Sequence, residues 1–200
     1  FFFDGTGNNY RAAEKSNDYS NIARLYDCFP GMSVPGVLPK STDWEYKPEQ
    51  YKHFFRVYVP GPGTTFPQAR DTGAGLDKVA GGGTGRWGER RIIWALVQAI
   101  NNVHRFFLNS PLILQPEIDN LFTTHSLTKS TRRAAEGRQD EDADIVDSAT
   151  GTLAKFLLSG MLTRLHQAVA PHWRDKSTGR PAKIDPGIVK TIYISIFGFS

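Results

Sequence analysis

A single cysteine, Cys28, stands in 200 residues, so no intrachain disulfide can staple the fold and the redox compartment is left open. No stretch of eighteen apolar residues occurs, which excludes an ordinary membrane-spanning helix. The excess of basic over acidic side chains is small and dispersed, 24 against 20 for a net charge of +4, and gives no support to a nucleic-acid partner. Internal repeats and low-complexity tracts are lacking too. What remains is ordinary for a folded domain: 40% apolar and 22% charged residues, enough at this length for a core without disulfide or metal. The chain starts Phe1-Phe2-Phe3 without methionine and stops at Ser200 just after an apolar run. It reads as a piece of a longer polypeptide, in which an upstream targeting segment would be invisible.

Three segments have the short, aromatic and β-branched character of buried strands closed by glycine or proline: Phe1 to Phe3, His53 to Val59 and Thr191 to Phe197. The last is apolar on both faces and predicts a central parallel strand covered by helices on both sides. Helical patterns lie between them. Ser20 to Phe29 starts at a Ser20 cap, and Glu89 to Leu108 carries Ile92, Ile93, Leu96, Val97, Ile100, Val103 and Phe107 on one face. This alternation predicts an α/β sheet. Pro30 to Gln50, rich in proline, reads as an irregular surface excursion. Residues 111–187 are too long for a crossover and predict an insertion before the last strand. Within it, Lys129 to Asp147 reads as a solvated, charge-dense loop, and Leu153 to Val169 as an amphipathic helix with Leu153, Phe156, Leu157, Met161, Leu162 and Leu165 at helical spacing.

The chain ends Ile196-Phe197-Gly198-Phe199-Ser200, the first positions of a Gly-x-Ser-x-Gly nucleophile elbow directly after a strand. In such an elbow the serine sits on a strained turn, and the glycine two residues earlier allows close backbone approach. The alternative is a glycine that ends a strand and a serine that caps the next helix. Phe1-Phe2-Phe3-Asp4-Gly5-Thr6-Gly7-Asn8-Asn9 is a strand running into a glycine-rich turn, the place for an oxyanion loop of backbone N–H groups. It also reads as a tight turn held by Asp4 and Asn8, or as a phosphate-binding turn.

Four stretches together carry a resemblance. They are Phe2-Phe3-Asp4-Gly5-Thr6-Gly7-Asn8-Asn9, Asn21-Ile22-Ala23-Arg24-Leu25-Tyr26, Tyr58-Val59-Pro60-Gly61-Pro62-Gly63-Thr64 and Ile196-Phe197-Gly198-Phe199-Ser200. In this order the chain resembles the type VI secretion lipase effectors of the first Tle class, an α/β-hydrolase family. Pro62 departs from the small or branched residue the family often has there. The resemblance implies the N-terminal part of one α/β-hydrolase catalytic domain over 1–200, with a mostly parallel sheet, helices on both faces and a helical insertion over 111–187. It implies phospholipase A action on the ester bonds of membrane glycerophospholipids, with no cofactor and no metal. Secretion by the type VI system with a spike protein, action in the periplasm or at the membranes of a target cell, and an immunity protein as partner are implied as well. Ser200 would be the nucleophile, Gly198 and Phe199 its elbow, and the N–H of Gly5 or Thr6 one oxyanion donor. The order Ser, Asp or Glu, His in this fold puts both remaining triad members beyond residue 200.

His53, His104, His125, His166 and His172 all precede Ser200 and are expected at the surface or in loops. Gly83-Thr84-Gly85-Arg86-Trp87-Gly88 has dinucleotide-fingerprint spacing but no strand before it and no ribose-binding acid twenty residues on. Asp140, Asp142 and Asp144 begin like a calcium loop, but Ile145 and Gly151 occupy the positions that need glycine and glutamate. For the Leu153 to Val169 helix, core packing competes with a lid or membrane anchor. In the second case Phe156, Leu157 and Met161 face the site, and Lys155 and Arg164 meet anionic headgroups. Rival functions are a phosphate- or nucleotide-binding α/β protein and a non-catalytic interaction domain on a hydrolase scaffold.

Overall fold

A computed structural model describes residues 1–36, 48–73, 88–124, 159–172 and 193–198. The described strands are β1 (Phe2–Phe3), β2 (Met32–Ser33), β3 (Phe55–Arg56), β4 (Tyr58–Val59) and β5 (Phe197–Gly198). The helices are α1 (Tyr10–Ala13), α2 (Asn21–Cys28), α3 (Pro48–Tyr51), α4 (Gly88–Leu108), α5 (Gln115–Thr124) and α6 (159–169), with 3₁₀ turns at Pro67–Ala69 and Ala170–His172. The chain divides into two compact units, one of Phe1–Gln98 with Tyr193–Ser200 and one of Ala99–Ile192.

In the first unit β4, β1 and β5 form a parallel sheet in the order β4-β1-β5, with Phe2 opposite Tyr58 and Phe197, and Phe3 opposite Val59 and Gly198. The first and last of the three expected strands thus pair in parallel. The segment expected to be one strand, His53 to Val59, serves two neighbours. The Phe54 and Arg56 carbonyls accept from Met32 and Val34 in and beside β2, whereas those of Val57 and Val59 accept from Phe2 and Asp4. Successive carbonyls of an extended chain point to opposite edges, so one run holds β2 on one side and β1 on the other. The proline-rich excursion therefore contains a strand, β2, whose two residues have too little length for a periodic signal.

Phe2 is the hub of the core. Its ring stacks on Phe197 at 5.0 Å and meets Tyr26 and Phe29 edge-on at 5.4 and 5.5 Å, and Tyr10, Ile22, Ala23 and Tyr58 complete the buried cluster. α2 reaches it through Ile22, Ala23 and Tyr26 while Arg24 and Leu25 face out. The helix begins where expected, with Ser20 Oγ accepting the Ala23 N–H at 3.0 Å. Its far end is closed by Arg56, fully buried, whose guanidinium donates to the Tyr26, Asp27 and Phe29 carbonyls and lies 4.8 Å over the Tyr26 ring.

Two expectations are corrected. Thr191 to Phe197 was expected as a central strand, but residues 193–196 are not strand and β5 covers only Phe197–Gly198; among the described residues it pairs with β1 alone, and β1 has a neighbour on each side. Tyr193, Ile194 and Ile196 are 90%, 59% and 69% exposed. Apolarity on both faces reports what a strand can tolerate, not which neighbours it acquires. On α4, Ile92 and Leu96 are exposed, whereas Arg91, Gln98, Asn101, His104 and Arg105 are buried with Ile93, Trp94, Val97 and Ile100. The buried stripe is rotated from the apolar one, and Arg91 and Asn101 in it find internal partners. In the first unit Arg91 pairs with Asp71. In the second, Asn101 bonds the Leu112 and Ile113 N–H groups and the Ile113 carbonyl.

The second unit contains the described part of the 111–187 segment, which is helical in α5 and α6. Ile113, Ile118, Leu121, Phe122, Leu165 and Val169 are buried there. Arg164 of α6 bridges Glu117 of α5 at 2.7 Å, with both side chains nearly half exposed.

Candidate functional site at the ends of the parallel strands

At its C-terminal end β1 delivers Asp4, which is buried. Its Oδ1 accepts the Gly5 N–H at 2.9 Å, and its Oδ2 accepts the hydroxyls of Ser20 at 2.8 Å and Tyr58 at 2.5 Å. Each hydroxyl also accepts a backbone N–H. Tyr58 takes that of Tyr10 at 2.9 Å, at the start of α1, and Ser20 takes that of Ala23. Burial, reinforced by Asp4, drives the Tyr58 pKa far above the ordinary phenol range and keeps the hydroxyl a donor. One carboxylate thus ties the end of β1 to β4 and to the start of α2, and through Tyr58 to α1.

The turn that follows is clasped by the loop after β4. Gly7 N–H donates to the Pro62 carbonyl, Gly61 N–H to the Asn8 carbonyl and Asn8 N–H to the Gly5 carbonyl, all at 2.9–3.0 Å. Asn9 caps α1 by accepting from Arg11 and Ala12, and its amide donates to the Thr65 carbonyl at 3.0 Å. The two backbones approach so closely that a Cβ on Gly61 would lie 1.7 Å from the Gly5 oxygen. Behind the clasp, Arg91 donates to the Thr64 carbonyl at 2.7 Å and to Asp71 at 2.6 Å, a pair almost wholly withdrawn from water. The Arg91 guanidinium also lies 5.2 Å over the Phe66 ring. Desolvation lowers the Arg91 pKa and Asp71 opposes that shift.

Of the four amide N–H groups from Gly5 to Asn8, three are therefore used within the loops, and only that of Thr6 has no partner among the described residues. Thr6 is exposed while Gly5 is buried. Beside the turn an open cleft of about 170 Å³ is lined by Gly7, Asn8, Ala12, Ser16, Asp18 and Ser20, among others.

The structure brings Gly5, Thr6 and Gly198 to one end of the sheet, since Gly198 stands opposite Phe3 in register. Ser200 and Phe199 lie outside the described residues, as do Phe156, Leu157 and Lys155, the Asp140 to Gly151 run, His125 and the glycines of the dinucleotide-like spacing before Gly88. Met161 is half-buried in α6, whose buried side chains are Leu165 and Val169. Arg164, expected to meet lipid headgroups, is engaged by Glu117. His104, expected at the surface or in a loop, is instead buried in α4, with Nδ1 2.6 Å from the Ser110 carbonyl. It ties the end of its own helix to the turn that follows. Among the described residues no group of three or more His, Cys, Asp or Glu side chains stands close enough to hold a metal, and no helix is long and apolar enough to cross a membrane.

Sequence reasoning missed Tyr58 and Ser20 as the partners of Asp4, and the Arg91–Asp71 pair. Tyr58 lies 54 residues from Asp4 inside a strand that reads as plain core, and nothing local marks it. Only Ser20 carried a signal, as a helix cap.

Helices alternating with short parallel strands define this protein as broadly α/β. Compared with known proteins, the chain matches no family model, no curated protein and no solved structure.

Proposed function

We propose that the protein is a serine ester hydrolase of α/β-hydrolase type that acts on membrane glycerophospholipids, with Ser200 as nucleophile and the Thr6 N–H as an oxyanion donor. One observation carries this reading: the order β4-β1-β5. Among the described strands β1 is the middle one: the chain passes from β1 to β4 on one side and later reaches β5 on the other, so it changes side across β1. Ligand sites of open parallel sheets lie outside the carboxyl ends of the strands at such a switch point. The Asp4–Asn9 turn and the chain leaving Gly198 occupy it. An elbow serine two residues beyond Gly198 and an N–H three residues beyond Phe3 that has no partner among the described residues are the two parts an acyl-transfer site needs side by side.

The four family-like stretches also converge physically. Phe2 from the first stretch, Ile22, Ala23 and Tyr26 from the second and Tyr58 from the third share one buried cluster, and Phe197 from the fourth packs against it. A common purpose in holding the switch point explains why they occur together. A phosphate cradle fits less well. It needs several N–H groups aimed at one anion, whereas this turn spends three of four internally and has the Asp4 carboxylate beneath it. On this reading the remaining triad members follow Ser200 in the polypeptide. Delivery by a type VI secretion spike, action at the target-cell envelope and an immunity protein belong to the same proposal.

The test is fatty-acid release from defined phospholipid vesicles by the complete polypeptide. Ser200→Ala is expected to abolish release while the protein stays folded. Near wild-type turnover in that variant refutes the assignment.

A further inference from the structure

We infer that Asp4 is a positioning residue that sets the direction of the Thr6 N–H; this rests on the reading of Thr6 as an oxyanion donor. Thr6 N–H and the Gly5 carbonyl belong to one trans peptide plane, so they point opposite ways. The carbonyl is turned inward. It accepts the Asn8 N–H at 3.0 Å and lies against Gly61, where a side chain would leave it no room. The preceding peptide is held by Asp4, whose Oδ1 takes the Gly5 N–H and keeps it from competing for an anion. With both planes fixed, Thr6 N–H is directed outward.

Asp4 is suited to this because a carboxylate only accepts. The Tyr58 and Ser20 hydroxyls each take a backbone N–H on their own oxygen, so each has its single proton for Asp4, and the Gly5 N–H needs a third acceptor site. An asparagine offers one acceptor oxygen and an NH₂ in place of the other. Either the Gly5 N–H or the two hydroxyl protons then lose their acceptor, and the turn rearranges. The side chain itself is buried below the turn, where it borders the cleft, and its oxygens are taken by the three protein donors.

A matched pair of short-chain substrates, an ester and its thionoester, reads the direction of the donor. Sulfur is a weaker acceptor than oxygen, so a well-aimed N–H favours the oxygen substrate. In the complete polypeptide, Asp4→Asn is expected to lower kcat on the ester about 10²-fold, the loss typical of one oxyanion donor, with KM little changed. The ester-to-thionoester rate ratio is expected to collapse with it. Tyr58→Phe keeps the ring in the cluster and is expected to lower the same ratio by a smaller factor, so the test stands even where Asp4→Asn does not fold. Equal losses on both substrates, or no loss, in folded variants overturn the positioning role alone. Absence of Ser200-dependent ester hydrolysis in the unaltered protein overturns the underlying reading, and this role with it.

Discussion

Replacing Gly61 by alanine tests the clasp between the two loops most directly. The new methyl would stand 1.7 Å from the Gly5 oxygen, 2.5 Å from the Gly5 carbonyl carbon and 3.1 Å from the Asn8 oxygen. These are backbone atoms and have no rotamer by which to withdraw, so the loops must part. Parting them breaks the Gly61-to-Asn8 and Gly7-to-Pro62 bonds, worth about 1 kcal/mol each, and adds an overpacking cost of about 1–3 kcal/mol. The sum is about 3–5 kcal/mol, a large share of a typical total of about 5–15 kcal/mol. For a chain of this size it lowers Tm by roughly 6–20 °C. Gly7→Ala is the control. Its φ of +82° disfavours a side chain, but nothing lies within 4 Å of the added methyl, and only a conformational cost of about 1–2 kcal/mol is expected. Equilibrium urea unfolding followed by tryptophan fluorescence gives both as midpoint shifts at constant slope. A Gly61→Ala midpoint no lower than that of Gly7→Ala refutes the steric reasoning.

Breaking the buried pair by Arg91→Met is expected to cost about 3–5 kcal/mol, because Asp71 is left charged and unpaired; a double Arg91→Met, Asp71→Leu variant regains most of that in the same unfolding assay. Arg164→Ala is expected to cost at most about 0.5 kcal/mol, since the bridge to Glu117 is exposed. Its pH dependence has a definite sign. Arg164 holds the Glu117 pKa below its ordinary value of 4.5, so this small contribution is present above that value and lost as pH falls through the lowered one. A difference between Arg164→Ala and the unaltered protein that grows on acidification contradicts it.

Ser20 links two levels of structure, and its replacement separates them. Ser20→Ala removes the N-cap of α2 and one of the two hydroxyls on Asp4, with an expected cost of about 1–2 kcal/mol. Ser20→Thr keeps both bonds and is expected to recover most of it, and the urea midpoints of the two variants compare them.

Where local chemistry was decisive, the sequence sufficed. Ser20 announces α2 because a hydroxyl before a helix has one good use, and Phe1 to Phe3 reads as a strand because aromatic residues that end in Asp-Gly have few other extended-to-turn solutions. The strand-to-turn boundary at Asp4 was legible for the same reason. The tertiary structure alone decided what depends on neighbours far along the chain. Only there does the run from Phe54 to Val59 divide its carbonyls between β2 and β1, and β1 stand between β4 and β5 among the described strands. The stripe of α4 that is buried includes Arg91 and Asn101 because partners 20 residues upstream and 12 downstream meet them, which helical periodicity cannot register. The same holds at the proposed site. Four successive N–H groups in the glycine-rich turn look alike in sequence, and that of Thr6 is left without a partner among the described residues because Asp4 and Gly5 accept within the turn and Pro62 accepts from a loop some 55 residues away.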